Sequence, residues 1–222
     1  MESLLKHVQY RISSSSSKVA KLKIFAIATA FVVLVASFFI QARQTPDLAH
    51  GNPAQIAELR AHWREGDMIV LVRHVERCDH SDAPCLEGGD GITARAQDVA
   101  SEVGQEFQRL GLESADIYSS PLTRARQTAK FMFDPTTETQ DWLIQCKGTM
   151  LRDMLGHKEP QRNLILVTHS ECIDQFEQDM HLPDGKTPAY GSSLFVYLDK
   201  ADAAPHVLGH INAQDWQSVF PR

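Results

Sequence analysis

The run Met68-Ile-Val-Leu-Val72 leads straight into Arg73-His74. It is too short for a helix of ordinary length, shows no polar alternation and is rich in β-branched residues. That is how a strand buried on both faces reads. Leu164-Ile-Leu-Val-Thr168 repeats the pattern and leads into His169. Between the two, Ala96, Val99, Ala100, Val103, Phe107 and Leu110 recur at helical spacing, which predicts a helix over 94–110 capped by Thr93 and stopped by Gly111. Asp116–Ser119 reads as a second strand. Ser120 and Pro121 then stand as N-cap and first residue of a helix whose stripe is Leu122, Ala125, Ala129 and Met132. Further elements follow in the same rhythm: a short helix over Ala54–Arg64, a strand near Glu138–Leu143, a helix around Gly148–Leu155, and a helix capped by Ser170 with Ile173, Phe176 and Met180 on one face. Leu194–Leu198 and Val207–Ile211 are two last strands, one of them an edge. This alternation predicts an α/β domain, a three-layer α/β/α sandwich around a mostly parallel sheet.

The other end of the chain has a different character. Ile24–Ile40 carries no charge and only two polar residues, Thr29 and Ser37. As a helix it is roughly 26 Å long, at the short end of what spans a bilayer core. Five cationic side chains stand among residues 1–42 against Glu2 alone, and all five precede the run. The positive-inside rule therefore predicts a cytoplasmic segment 1–23, one transmembrane signal anchor over 24–42, a linker over 43–54 and an exported domain over 55–222. Cleavage after Ala42 would place Ile40 where a small residue is wanted, which favours an uncleaved anchor over a signal peptide. Beyond residue 42 the chain has seventeen basic against twenty-seven acidic side chains. Nucleic-acid binding, which draws its affinity from neutralised phosphates, is a poor fit to that balance.

All four cysteines, Cys78, Cys85, Cys146 and Cys172, lie in the exported part. An even count in an oxidising compartment predicts two disulfides, with three pairings open. Cys78 and Cys85 are near enough to close one loop, and Cys146 and Cys172 would then tie two later segments. The C-x-x-C spacing of a zinc site is missing.

In such sheets ligands bind beyond the carboxyl ends of the strands. Three predicted strand ends carry Arg73-His74, Ser119-Ser120 leading to Arg124, and Thr168-His169. Guanidinium forks bind phosphoryl oxygens in pairs, and helix starts after Ser120 and Ser170 add backbone donors. Imidazole is a competent nucleophile. Converging at one crevice, these groups suit phosphoryl transfer to histidine without a metal, and no cofactor is implied.

Leu71-Val-Arg-His-Val-Glu-Arg77, Tyr118-Ser-Ser-Pro-Leu-Thr-Arg124-Ala and Leu166-Val-Thr-His169, in that order, resemble the histidine phosphatase superfamily, the phosphoglycerate mutase and acid phosphatase clan. The resemblance implies a phosphoglycerate mutase-like fold and a phosphatase. It makes His74 the nucleophile, Arg73 and Arg124 the phosphate-binding arginines, His169 the second histidine that stabilises the transferring group, and Arg77 a further phosphate contact. The proton donor follows least directly. Gln145 stands where the mutase-like branch places a glutamate, and Ser170 where many acid phosphatases place an aspartate. His169-Ser170-Glu171 fits the smaller H-x-E pattern, so Glu171 is the expected general acid, with Glu76 second.

The cysteine positions, with Asp79, Gly91-Ile-Thr93 and Gln145, are similar to the bacterial envelope members of the clan that act on the lipopolysaccharide core. That implies a phosphate on core heptose as substrate, the inner membrane as the seat of the N-terminal helix, and a catalytic domain in the periplasm. A weak acid would instead suit phosphohistidine or small phosphomonoesters. A binding module that keeps the pocket without turnover is the non-enzymatic alternative. Trp142 and Lys147 are secondary candidates for contacts to sugar and anion, and the remaining histidines read as surface or core residues.

Overall fold

The computed structural model describes residues 21, 23–35, 45–182, 187–221. Residues 23–35 are helical. Among the described residues no helix is long and apolar enough to cross a membrane. The remainder of the expected span, 36–42, and most of the expected cytoplasmic segment lie outside the described residues.

Thr45–Arg222 forms one compact unit. Its six strands are β1 (Met68–Arg73), β2 (Ala115–Ser119), β3 (Glu138–Thr139), β4 (Asn163–Thr168), β5 (Ser193–Leu198) and β6 (Pro205–Ile211), in the sheet order β3-β2-β4-β1-β5-β6. Pairing is parallel from β3 through β2 and β4 to β1, then antiparallel from β1 to β5 and β5 to β6. The expected mostly parallel sheet is therefore a mixed one. No helix separates β5 from β6, and so short a connection can only turn the chain back on itself.

Alternate residues of the apolar strands feed two cores. Val70, Val72, Ile165, Val167 and Phe195 pack under α1 (Pro53–Glu65), α2 (Ala96–Leu110), α3 (Thr123–Met132) and the short α6 (Trp216–Val219). Ile69, Leu71, Leu164, Leu166 and Val196 pack under α4 (Met150–Gly156) and α5 (Ser170–Asp179). That is the predicted three-layer arrangement. Asn163 ties the layers at the lower end, accepting from the Met68 amide and donating to the Trp63 carbonyl.

Several local expectations are corrected. Residues of the expected linker belong to the folded unit: Leu48 is buried, the His210 amide donates to the Pro46 carbonyl, and Asn52 and Gln55 cap α1 reciprocally behind Pro53. Thr93 does not cap α2; its hydroxyl donates to Glu76 at 2.8 Å. Ser120 does not cap α3, which starts at Thr123. Its hydroxyl turns to His169 instead. The third strand is only two residues long and runs into a 3-10 turn at Asp141–Leu143.

Two disulfides are present, Cys78–Cys85 with Cα atoms 5.2 Å apart and Cys146–Cys172 at 5.5 Å. The second joins the loop after β3 to α5, directly behind His169. Its loop of 26 residues restricts the unfolded chain more than the other, with a separation of 7. Replacing both Cys146 and Cys172 by serine is expected to cost about 3 kcal/mol, read from denaturant unfolding without reductant. A loss under ~1 kcal/mol would contradict a stabilising cross-link.

Candidate active site

The carboxyl ends of β1, β2 and β4 meet at one crevice. β1 delivers Arg73 and then His74, whose amide donates to the Thr168 carbonyl at 3.0 Å. β2 delivers Ser119 and Ser120, and the Ser120 amide donates to the Val167 carbonyl at 2.9 Å. β4 delivers Thr168 and His169, which precedes α5. Arg124 projects from the first turn of α3. Thr128, one turn on, receives the Val75 amide at 3.1 Å and donates to the Arg124 carbonyl at 2.7 Å, so α3 is fixed to the residue after His74.

His74 is buried, and Nδ1 lies 2.8 Å from the Val75 carbonyl. A carbonyl only accepts, so Nδ1 carries the proton and the lone pair sits on Nε2. Arg124 Nε donates to that lone pair at 3.2 Å. Burial pushes the His74 imidazole down to about 3; the Val75 hydrogen bond opposes this, while the charges of His169, Arg124 and Arg73 add to it. His169 lies edge-on to His74 with ring centroids 5.2 Å apart, and its Nε2 is 2.7 Å from Ser120 Oγ. Burial, then the charge of Arg124, lowers it to about 4. Among the described residues its Nδ1 is buried without a partner. At neutral pH both rings are neutral and ringed by fixed guanidinium charge.

Arg73 is held from the far side. Its guanidinium lies 3.9 Å over the Tyr190 ring and donates to the Pro188 carbonyl, while its Nε is buried without a partner among the described residues. Tyr190 also packs on His74, with centroids 5.7 Å apart. Sequence reasoning misses this residue. It lies on the loop before β5, far along the chain, and carries no motif. Replacing Tyr190 by leucine is expected to lower kcat/KM about tenfold, while Tyr190→Phe, which keeps the ring face for the cation, stays near wild type. Equal losses in both variants would contradict an orienting ring.

The remaining candidates divide. Arg77 does not stand free for phosphate: its fork closes on Asp79, at 2.6 and 2.5 Å. Glu76 cannot donate a proton near neutral pH. Arg95 grips it bidentately, Thr93 and Ser81 donate to it, and together they hold its carboxyl down to about 2 against burial. Glu171, at the start of α5, faces Arg124 and His169. Burial alone would raise its carboxyl, but its own backbone amide, the Ser170 hydroxyl and the charges of His169 and Arg124 pull it below the usual range. Asp174, one turn further, is pushed up by burial and by Glu171, with Arg73 opposing. Trp142 stacks on His157 at 4.7 Å. Among the described residues only His62, Glu65 and Asp67 bring three metal-ligating groups together, at the opposite end of β1, with Lys200 paired to Glu65.

This geometry offers a neutral imidazole with an aimed lone pair, two guanidiniums and a second imidazole around it. It is equipped to receive a phosphoryl group. The sequence profile of the histidine phosphatase superfamily (branch 1) matches residues 69–143. Lipopolysaccharide core heptose(II)-phosphate phosphatase of Escherichia coli (strain K12) is 32% identical over 137 residues, covering 60% of this chain and 67% of that protein. The chain belongs to the histidine phosphatase superfamily, as a phosphatase. Crystal structures of phosphoserine phosphatase from Entamoeba histolytica share the fold. The complex with 3-phosphoglyceric acid has a TM-score of 0.51 at 14% identity, over 67% of this chain and 98% of that one. A mutant with phosphoserine gives 0.50 at the same identity and coverage.

Proposed function

We propose that this phosphatase hydrolyses phosphomonoesters through a phosphohistidine on His74, without a metal, and that its substrate is phosphate on the heptose of the lipopolysaccharide core. The observation that carries the chemistry is the His74 tautomer, with Nδ1–H donating to the Val75 carbonyl and the lone pair on Nε2, where the long hydrogen bond from Arg124 is exchanged for the bond to phosphorus. Nε2 forms a bond to phosphorus as the ester P–O bond breaks, and the leaving alkoxide takes a proton. Water then attacks the phosphohistidine, returning the imidazole and releasing phosphate. Arg73, Arg124 and the unpartnered Nδ1 side of His169 surround the oxygens on which charge accumulates. The substrate assignment is supported by the relative that acts on heptose(II)-phosphate. An inner-membrane seat with the domain in the periplasm is supported by the basic N-terminal flank, the apolar run after it and the two disulfides.

Glu171 serves as the acid in this reading. In the free enzyme its carboxyl is held low, and the negative charge of a bound phosphate beside it raises it towards protonation. Replacing Glu171 by glutamine is expected to lower kcat on a sugar phosphate by on the order of 100-fold and to leave acetyl phosphate nearly untouched, since acetate leaves without a proton. Equal effects on both substrates would remove Glu171 from that role.

The low set of Glu171 favours a second reading, a phosphatase for phosphohistidine or for small phosphomonoesters with good leaving groups. One experiment separates the two: phosphate release by the full chain in detergent from purified lipopolysaccharide core and from phosphohistidine, in the presence of EDTA. Release from the core supports the first reading. Release from phosphohistidine alone supports the second, and release from neither would contradict both.

A further inference from the structure

Beside the crevice lies a cavity of about 470 Å³ floored by Val75, Val99 and Ala213, walled by Tyr190 and rimmed by Glu102 and Gln214. Two of these residues also hold the catalytic pair. Val75 follows the nucleophile and fixes its tautomer, and Tyr190 carries Arg73 on its ring and packs on His74. Gly191 keeps this wall close. It has φ 73°, and a Cβ there would stand 3.1 Å from the Ala213 Cβ and 3.4 Å from Val75 Cγ1. The volume is within the range of small-molecule sites.

The rim decides the occupant. Glu76 and Arg95 also border the cavity, but they neutralise each other in a bidentate pair, and Thr93 and Ser81 take up the rest of the Glu76 carboxylate, so Glu102 is the unpaired charge of the lining. Glu102 has no hydrogen-bond partner among the described residues, and the Gln214 amide nitrogen turns to Asp215 at 3.4 Å, leaving its carbonyl oxygen. A second phosphate would be repelled by Glu102, and a purely apolar group would leave these acceptors unused. An apolar floor, one aromatic wall and acceptors at the edge match a polyhydroxylated ring, with its C–H face down and its hydroxyls donating outward. We propose that this cavity is the subsite for the saccharide portion of the substrate. The assignment deepens the sugar-phosphate reading above and rests on it.

The test uses the full chain in detergent and two variants outside the catalytic set. Val99, with 36% of its surface exposed, accepts a larger side chain, so Val99→Trp fills the floor; Glu102→Ala removes the acceptor. Saccharide binding is read by NMR line broadening of dephosphorylated lipopolysaccharide core oligosaccharide, and chemistry by hydrolysis of acetyl phosphate and of the phosphorylated core. Expected are saccharide binding lost in Val99→Trp and weakened in Glu102→Ala, a KM for phosphorylated core raised about tenfold or more, and acetyl phosphate kcat/KM within about twofold of wild type. No saccharide binding to the wild-type chain at millimolar concentration, or equal binding in all three proteins, would overturn the assignment. Should the wild-type chain hydrolyse neither phosphate compound while Val99→Trp still abolishes saccharide binding, the catalytic reading fails and the subsite stands.

Discussion

Replacing His74 by alanine is expected to leave less than about 10⁻⁴ of the phosphatase activity and to abolish acid-labile, base-stable phosphate on the protein. Among the described residues no other side chain at the crevice offers an unprotonated nitrogen in the same place. His169 has Nε2 engaged with Ser120. The pH profile carries a second part of this expectation. An unperturbed imidazole near 6.5 would be about 97% protonated at pH 5 and unable to attack. His74 is held down to about 3 and His169 to about 4. A base with a lowered value stays active as pH falls, so kcat/KM should lose its acid limb only as pH drops towards 4 and below. A limb centred near 6.5, or persistent phosphorylation of His74→Ala, would contradict the assignment of His74 as nucleophile.

Replacing Arg124 by alanine is expected to lower kcat/KM by about 10²–10³-fold, the usual loss for one charged donor at a developing anion. Arg124 acts twice. In the proposed mechanism its fork takes the phosphoryl oxygens, and its Nε donates to the lone pair of His74 at 3.2 Å. Its charge also lowers both histidines. The variant should therefore show the acid limb displaced to higher pH as well as a slower rate. Arg124→Lys should recover little, because an ammonium is a point charge that cannot bridge two oxygens. A loss below threefold in Arg124→Ala, with an unmoved limb, would take Arg124 out of the site.

Arg124 and His74 were legible because each lies just past the end of a strand, His74 directly after the apolar β1 and Arg124 in the first turn of the helix that follows β2, and such positions are local patterns. The same holds for β1, β4 and the stripe of α2, whose burial follows from periodicity. Thr93 and Ser120 were misread for the same local reason. Both occupy sequence positions suited to a helix cap, but each finds a stronger partner from another element: Glu76 for Thr93, His169 for Ser120. Glu76 is a carboxylate two residues from the nucleophile, and only the arrival of Arg95 shows that it is locked.

From its sequence alone, this protein is an α/β domain whose candidate catalytic groups follow strand ends, preceded by a basic flank and an apolar run. Those are properties of contiguous residues: the period of burial, the order of motifs and the sign of charge. Tertiary structure alone decides which strands run antiparallel, that Tyr190 crosses more than a hundred positions to carry Arg73, and that both histidines are neutral at pH 7. Each depends on what lies nearby in space, and burial and neighbouring charge, which set an imidazole's proton affinity, are not written in the order of the residues.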